Sequence, residues 1–437
     1  MSGERFVVLG LARARRQWFA DVGRWSTSAA LPAEFLRCIS VEELRARLCA
    51  GRAYSCALLD AGLPAVDRDL LRAIRDVGAV VLVVDDDRHR RDWLALGAAA
   101  VLPADLTREV LLDALATHAT MVGDVAASPS DAGSPGEPLD LVLGPSRVAA
   151  VCGPGGTGAS TVAAGLAQGL GEDPRHQGKV VLVDFARHAE QAMLHDVRDV
   201  MPGIQELVEA HRGGTPSNGE VEALTFSVVE RRYHLLLGLR QARYWATLRP
   251  RAFEAAFDSL RRVFATVVCD VTADLEGEGD AGSADVEERN IMARTAVARA
   301  DAVFAVGRPD LKGIHALVRV IADLATHGVA PGRVVPVINT SPRHPRARAE
   351  IAATLADLAR PALGGGATAG CVFLPSRKVE EALRDAVKLP APLAPLLAGA
   401  FLATVDRAGS SRPHLGGPEP VLVAPGSLGA RMTGGDP

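Results

Sequence analysis

Lysine is almost missing from this sequence. The 437 residues include four, Lys179, Lys312, Lys378 and Lys388, so arginine carries nearly all the positive charge. Chemistry that needs a lysine ammonium in a particular loop has few places to find one. Cysteine is equally sparse: residues 38, 49, 56, 152, 269 and 371, with no Cys-x-x-Cys pair. That excludes a disulfide framework and the usual zinc spacings. Cys152 and Cys269 fall inside apolar runs and read as small core residues. No uninterrupted apolar run reaches the ~18 residues of a spanning helix. The opening Met-Ser-Gly-Glu-Arg has no signal-peptide apolar core, so a cytoplasmic protein is expected. The net charge of −4 offers no coat for nucleic acid. The short clusters Arg88-His-Arg-Arg91 and Arg343-His-Pro-Arg-Ala-Arg348 read as solvated loops.

What is there is an ordinary globular balance, 48% hydrophobic and 23% charged, in a chain long enough for two domains. Residues 1–121 alternate strand and helix patterns. Runs at 6–10, 35–39, 56–60, 79–84 and 100–102 are each followed by a helical pattern, at 41–52, 67–77, 93–98 and 107–117 for the last four. Five such units predict a flavodoxin-like doubly wound sheet. Residues 122–145 are a Pro/Gly/Ser/Ala linker whose composition cannot bury a core, which predicts two loosely tethered domains. A second domain over 146–408 has short apolar runs at 147–152, 180–184, 234–238, 265–270, 302–307, 334–338 and 371–374. Such runs fit parallel strands covered on both faces. Residues 409–437 are Gly/Pro-rich without periodicity and are expected to be disordered.

The second domain opens on its most informative stretch, Arg147-Val-Ala-Ala-Val-Cys-Gly-Pro-Gly-Gly-Thr-Gly-Ala-Ser-Thr161. It reads as a buried strand, a glycine-rich turn and a helix starting near Ala159. Successive N–H groups in such a turn, with the helix N-terminus behind them, cradle phosphate. The spacing from Gly153 to Gly158 and Ser160 is that of a P-loop, with Ser160 where a magnesium-binding hydroxyl belongs. Val180–Asp184 and Ala265–Asp270 each end an apolar strand in a carboxylate. Two such aspartates at strand C-termini suit a Mg²⁺–phosphate site in an open α/β sheet. The candidate nucleotide-binding residues are Gly155, Gly156, Thr157, Gly158, Ala159, Ser160, Thr161 and Asn339. The candidate metal residues are Ser160, Asp184 and Asp270.

These motifs carry a resemblance over 147–407. Pro154-Gly-Gly-Thr-Gly-Ala-Ser160 resembles the deviant Walker A loop of the ParA/MinD family, Lys-Gly-Gly-x-Gly-Lys-Thr/Ser. Asp184-Phe-Ala186 resembles its Asp-x-Asp, and Asp270 its Walker B position. Val335-Pro-Val-Ile-Asn339 is similar to the late strand whose asparagine meets adenine, and Phe373-Leu-Pro375 to the last base-side loop. The receiver-like first half resembles the CpaE/TadZ branch and its actinobacterial septum-site relatives. The resemblance implies a MinD/ParA-type P-loop domain with a mostly parallel twisted sheet, ATP or ADP with Mg²⁺, and a homodimer. It also implies protein partners in a pilus, secretion or division machine, with recruitment to the inner membrane face or a pole. Three departures bear on catalysis. The family's signature lysine is Pro154, its P-loop lysine is Ala159, and its second aspartate is Ala186. No catalytic residue is therefore assigned, and little or no hydrolysis is expected. A working ATPase in partitioning or division placement is the alternative. Arg187 is the nearest replacement cation, unless it is a solvated loop residue.

The first domain departs similarly from a response-regulator receiver. Asp60 holds the phosphoacceptor position, but Gly10 and Leu11 replace the acidic pair and Leu102 the lysine before Pro103. A pseudo-receiver used for contacts is expected. The acidic run from Asp274 to Glu288 reads as a solvated loop or as a switch-like surface for a basic partner. Arg240–Arg251 reads as a segment packing its aromatics, and 389–407 as a final packing helix.

Overall fold

The computed structural model describes residues 5–122 and 146–410, except 14, 87, 89, 90, 177 and 386. The expected linker and tail therefore lie almost wholly outside the described residues. The chain is α/β with two sheets. The first contains β1 (Phe6–Leu11), β2 (Ala33–Cys38), β3 (Cys56–Asp60), β4 (Val80–Val84) and β5 (Ala100–Leu102) in the order β2-β1-β3-β4-β5. Every pairing in it is parallel. That is the flavodoxin-like order, in which the edge above β1 and β3 is the switch point.

The second sheet has eight strands: β6 (Arg147–Cys152), β7 (Val180–Phe185), β8 (Phe226–Val228), β9 (Tyr233–Leu236), β10 (Thr266–Val271), β11 (Ala302–Gly307), β12 (Val334–Ser341) and β13 (Val372–Pro375). Their order is β13-β12-β11-β6-β10-β7-β9-β8. All pair in parallel except β8, an antiparallel edge strand on β9. β8 has no counterpart among the expected apolar runs and is three residues long. Alternation along β6 feeds both faces: Val148, Ala150 and Cys152 enter one core, Ala149 and Val151 the other. The second core is closed by the helix Leu393–Ser410 on the helix Ala159–Glu172, where the carbonyl of Ala394 lies against Gly169 and leaves no room for a Cβ. Tyr244 and Trp245 pack against the first core. Among the described residues no helix is long and apolar enough to cross a membrane.

The two sheets are docked, contrary to the loose tethering that the linker composition suggested. A linker's composition sets its own stiffness and says nothing of the surfaces that it joins. The helix Arg68–Asp76 packs against the helices Ile204–Gly213 and Pro250–Val263. Asp69, which is buried, accepts the N–H groups of Arg251 at 2.9 Å and Ala252 at 3.2 Å. It thereby caps a helix whose own preceding residue, Arg249, supplies no side-chain cap. Arg68 donates to the carbonyls of His211 and Gly214, both at 2.9 Å, and Arg212 meets Asp67 at 2.7 Å. Asp69→Ala should lower stability by about 1–2 kcal/mol in urea unfolding of the full chain, since it orphans two helix N–H groups. Asp76→Ala breaks half-exposed pairs with Arg251 and, within its own helix, Arg72, and should change stability by less than ~0.5 kcal/mol.

Candidate functional site

The loop after β6 opens between β10 and β11, where the crossover connections diverge to the two halves of the sheet. Gly153 is required by close approach, because a Cβ there would stand 2.5 Å from the carbonyl of Val306. Gly156 and Gly158 take φ of +77° and +85°, which only glycine adopts without strain. The helix Ala159–Glu172 starts directly behind Gly158. Thr157 is folded onto the turn: its N–H and its hydroxyl both donate to the carbonyl of Pro154, at 3.2 and 2.7 Å. Thr157 therefore shapes the cradle, and the amides of its glycine and Ala159–Ser160 neighbours are the ones suited to phosphate. Thr161 follows in the first helical turn.

Asn339, at the end of β12, braces this loop. Its Nδ2 donates to the carbonyl of Thr157 at 2.9 Å and its Oδ1 accepts from the N–H of Thr340. The same amide would collide with any Cβ at Gly158. The adenine contact implied by the resemblance has to share a carboxamide already engaged with the P-loop.

Beneath the loop, β7 and β10 bring Asp184 and Asp270 together at the same register position. Both carboxylates are buried. Burial, with Asp270 beside it, raises the Asp184 carboxyl well above its ordinary value. Burial pushes Asp270 up to about 6, although hydrogen bonds from Gln191 and the Ser160 hydroxyl hold it down in part. Gly238, just after β9, lets this happen, since a Cβ there would lie 2.6 Å from the carbonyl of Asp184.

Gln191, the first residue of a short helix after β7, joins these groups and has no counterpart in the sequence reading. It is fully buried. Its N–H donates to Asp184 Oδ2 at 2.9 Å, while its side-chain Nε2 donates to Asp270 Oδ2 at 2.6 Å and to the carbonyl of Ser160 at 3.1 Å. Its Oε1 is buried without a hydrogen-bond partner. A buried network anchors it from behind. His195 Nδ1 lies 2.7 Å from the carbonyl of Gln191, its Nε2 lies 2.6 Å from the Tyr233 hydroxyl, and Arg231 donates to that hydroxyl at 3.3 Å. Only a sequence-distant pairing creates this arrangement, so no local motif announces it.

The donor set suits Mg²⁺: one hydroxyl and two carboxylates, all hard oxygens beside a phosphate cradle. A dication would also relieve two adjacent buried carboxylates. Among the described residues no cluster of three His, Cys, Asp or Glu side chains forms a closed metal cage. Ser160, Asp184 and Asp270 would hold it. The cationic side of the site is thin. Pro154, Ala159 and Ala186 carry no charge. Arg187 faces the acidic segment, 3.9 Å from Asp274, which also meets Arg289 at 3.4 Å and Asn290 at 2.9 Å. That segment contains two short helices, Glu278–Ala281 and Ala284–Arg289; Arg289 lies 3.8 Å from Glu276, and Glu287 lies 3.8 Å from Arg294 in the next helix. A cavity of about 390 Å³ lies elsewhere, at the far end of the helix Ala159–Glu172 beside Arg232 and His234.

At the first sheet's switch point Asp60 is fully buried and gripped by arginine. Arg13 donates to it through its N–H and Nε, both at 3.1 Å; Arg16 donates through Nε at 3.0 Å and Nη2 at 2.9 Å; the Gly62 N–H adds a bond at 3.0 Å. Both arginines also pair with Asp86. Burial alone would raise Asp60, but the bonds from Arg16, Gly62 and Arg13 outweigh it and hold the carboxyl below its ordinary value.

No family profile matches the chain, and no curated protein does. Solved structures of ParA/MinD-family ATPases are similar to it in part. A ParA-family ATPase from Chlorobium tepidum is 14% identical over 59% of this chain and 98% of its own, with a TM-score of 0.44. The septum site-determining protein MinD from Pyrococcus horikoshii, complexed with Mg-ADP, is 19% identical over 60% and 95%, at 0.40. Apo McdA from Cyanothece is 16% identical over 60% and 100%, at 0.41.

Two outcomes test this geometry. Burial, with Arg231 nearby, pushes the His195 imidazole from 6.5 down to about 4. The folded state then binds fewer protons than the unfolded one between those values, so stability is full above pH 6.5 and falls as pH drops toward 4. His195 alone should account for roughly 3 kcal/mol of that loss, and His195→Asn should remove this part of the slope in denaturant unfolding at pH 7 and pH 4.5. Treating the full chain with acetyl phosphate should add no phosphoryl mass at Asp60, because Arg13, Arg16 and Gly62 already engage both of its carboxylate oxygens.

Proposed function

We propose that this chain is a positioning factor of the ParA/MinD kind, a nucleotide-responsive or nucleotide-free dimerising scaffold with little or no hydrolysis. One observation carries the proposal. Ser160, Asp184 and Asp270 converge under a glycine cradle, while Pro154, Ala159 and Ala186 leave the phosphates without the family's charges. Glycine-rich backbone and a buried carboxylate pair are what binding needs; a positioned cation on the transferring phosphoryl is what speed needs. Its loss is worth on the order of 10³–10⁵ in rate. ATP or ADP would be held by the amides around Gly155–Ser160, with Mg²⁺ on Ser160, Asp184 and Asp270 neutralising phosphate charge. The arginine-locked first unit serves as a docking surface, not as a phosphorylation switch.

The resemblance to the CpaE/TadZ branch supports a finer role. That role is recruiting a Tad/Flp pilus or secretion machine, or a septum-site complex, to its place from the cytoplasm. The second reading, an active partitioning or division ATPase, is favoured by the retained Ser160–Asp184–Asp270 set. Titration of the full chain with labelled ATP and ADP, with and without Mg²⁺, separates the two when combined with turnover. Weak, salt-sensitive binding and negligible hydrolysis are expected. Turnover of about 1 s⁻¹ or more, an ordinary enzyme rate, that disappears in Ser160→Ala would establish the active ATPase.

A further inference from the structure

Gln191 is the group for which the proposed nucleotide reading supplies no role. It is completely buried, it belongs to none of the recognised motifs, and one residue reaches both carboxylates: backbone N–H to Asp184, side-chain N–H to Asp270. The second side-chain bond, to the Ser160 carbonyl, places the carboxamide between the P-loop helix and β10. This is the space that a cation shared by Ser160 and Asp270 would enter. Two acceptors, one a carboxylate, face the same NH₂, which fixes the orientation of the amide; its oxygen consequently points to no donor. An orphaned buried amide oxygen is costly, and here it follows directly from using the nitrogen as a positive group.

We propose that Gln191 is a built-in substitute for the metal: its two N–H groups hold Asp184 and Asp270 in the arrangement that a divalent cation would otherwise impose, so a cation binds only by displacing the side chain. The inference rests on reading Ser160, Asp184 and Asp270 as the cation site. The backbone of Gln191 is anchored by His195, Tyr233 and Arg231, and it stays in place while the side chain moves. Metal binding is then in competition with an internal hydrogen-bond set, and the resting site is organised without metal.

The test uses nucleotide-free full-length protein and Mn²⁺ as the probe, with free Mn²⁺ followed by electron paramagnetic resonance and melting measured in EDTA and in Mn²⁺. Wild type should bind Mn²⁺ poorly and melt at the same temperature in both buffers. Gln191→Ala should bind at least about tenfold more tightly, melt lower in EDTA and recover in Mn²⁺; adding Asp270→Asn should abolish both gains. A residue with a merely structural role would melt lower without rescue by metal. Equal or tighter Mn²⁺ binding by wild type overturns the proposal. If Gln191→Ala does not fold in either buffer, wild type decides: a melting temperature unmoved by Mn²⁺ supports the proposal, and a rise of several degrees that Asp270→Asn removes overturns it. ADP binding by wild type is measured alongside. Its absence would remove the nucleotide reading while leaving the Mn²⁺ comparison intact.

Discussion

Two carboxylates sit side by side inside the second sheet, and the constraint that they impose shapes everything around them. Asp184 and Asp270 share a register position on adjacent parallel strands. In a buried setting neither ionises freely, and their repulsion makes the second charge harder to form than the first. The structure answers with N–H groups aimed at them: Ala186 and Gln191 at Asp184, Gln191 again at Asp270, with the Ser160 hydroxyl. Gly238 has to be glycine so that the chain after β9 can pass. The His195–Tyr233–Arg231 network fixes the residue that does the bridging, and Arg231 in turn reaches the carbonyls of Ala382 and Val387 near the C-terminal helix. A site that reads as a few local motifs is thus supported by contacts from distant parts of the chain.

The docking of the two units meets the same part of the fold. Asp69 caps the helix Pro250–Val263, and that helix leads directly into β10, the strand that carries Asp270. The first unit therefore completes a helix that the second cannot cap for itself. Each unit has two cores of its own, and the helix cap is what the P-loop unit takes from its neighbour.

The framework was legible because buried parallel strands are nearly continuous apolar runs. Val180–Asp184, Ala302–Gly307 and Cys56–Asp60 could be placed within a residue on composition alone, and the P-loop on glycine spacing. What was not legible depends on pairings between distant residues. Gln191 sits in Glu-Gln-Ala-Met, a stretch with no local signal, and gains its role only because β10 lies beside β7. Arg13 and Arg16 look like any arginine-rich helix start until the fold brings Asp60 and Asp86 against them. β8 is too short to show alternation. Asp69 reads as a surface residue of its own helix, and only the partner helix, lacking a cap, explains its burial.

The two strand-edge aspartate sites show how the kind of donor decides the outcome. Asp60 has more guanidinium than it needs: two full positive charges within hydrogen-bond distance, delocalised and suited to paired contacts with a carboxylate. Its charge is satisfied, and a metal would have to evict arginine and face two cations. Asp184 and Asp270 have only neutral amides and one hydroxyl. Amide dipoles offset part of the desolvation of a carboxylate but cannot cancel the repulsion between two of them, which is why one site lies below the ordinary carboxyl range and the other above it. The first site is closed to further positive charge. The second remains unsatisfied by its own protein, and an entering cation meets favourable electrostatics there at the expense of one displaced glutamine side chain.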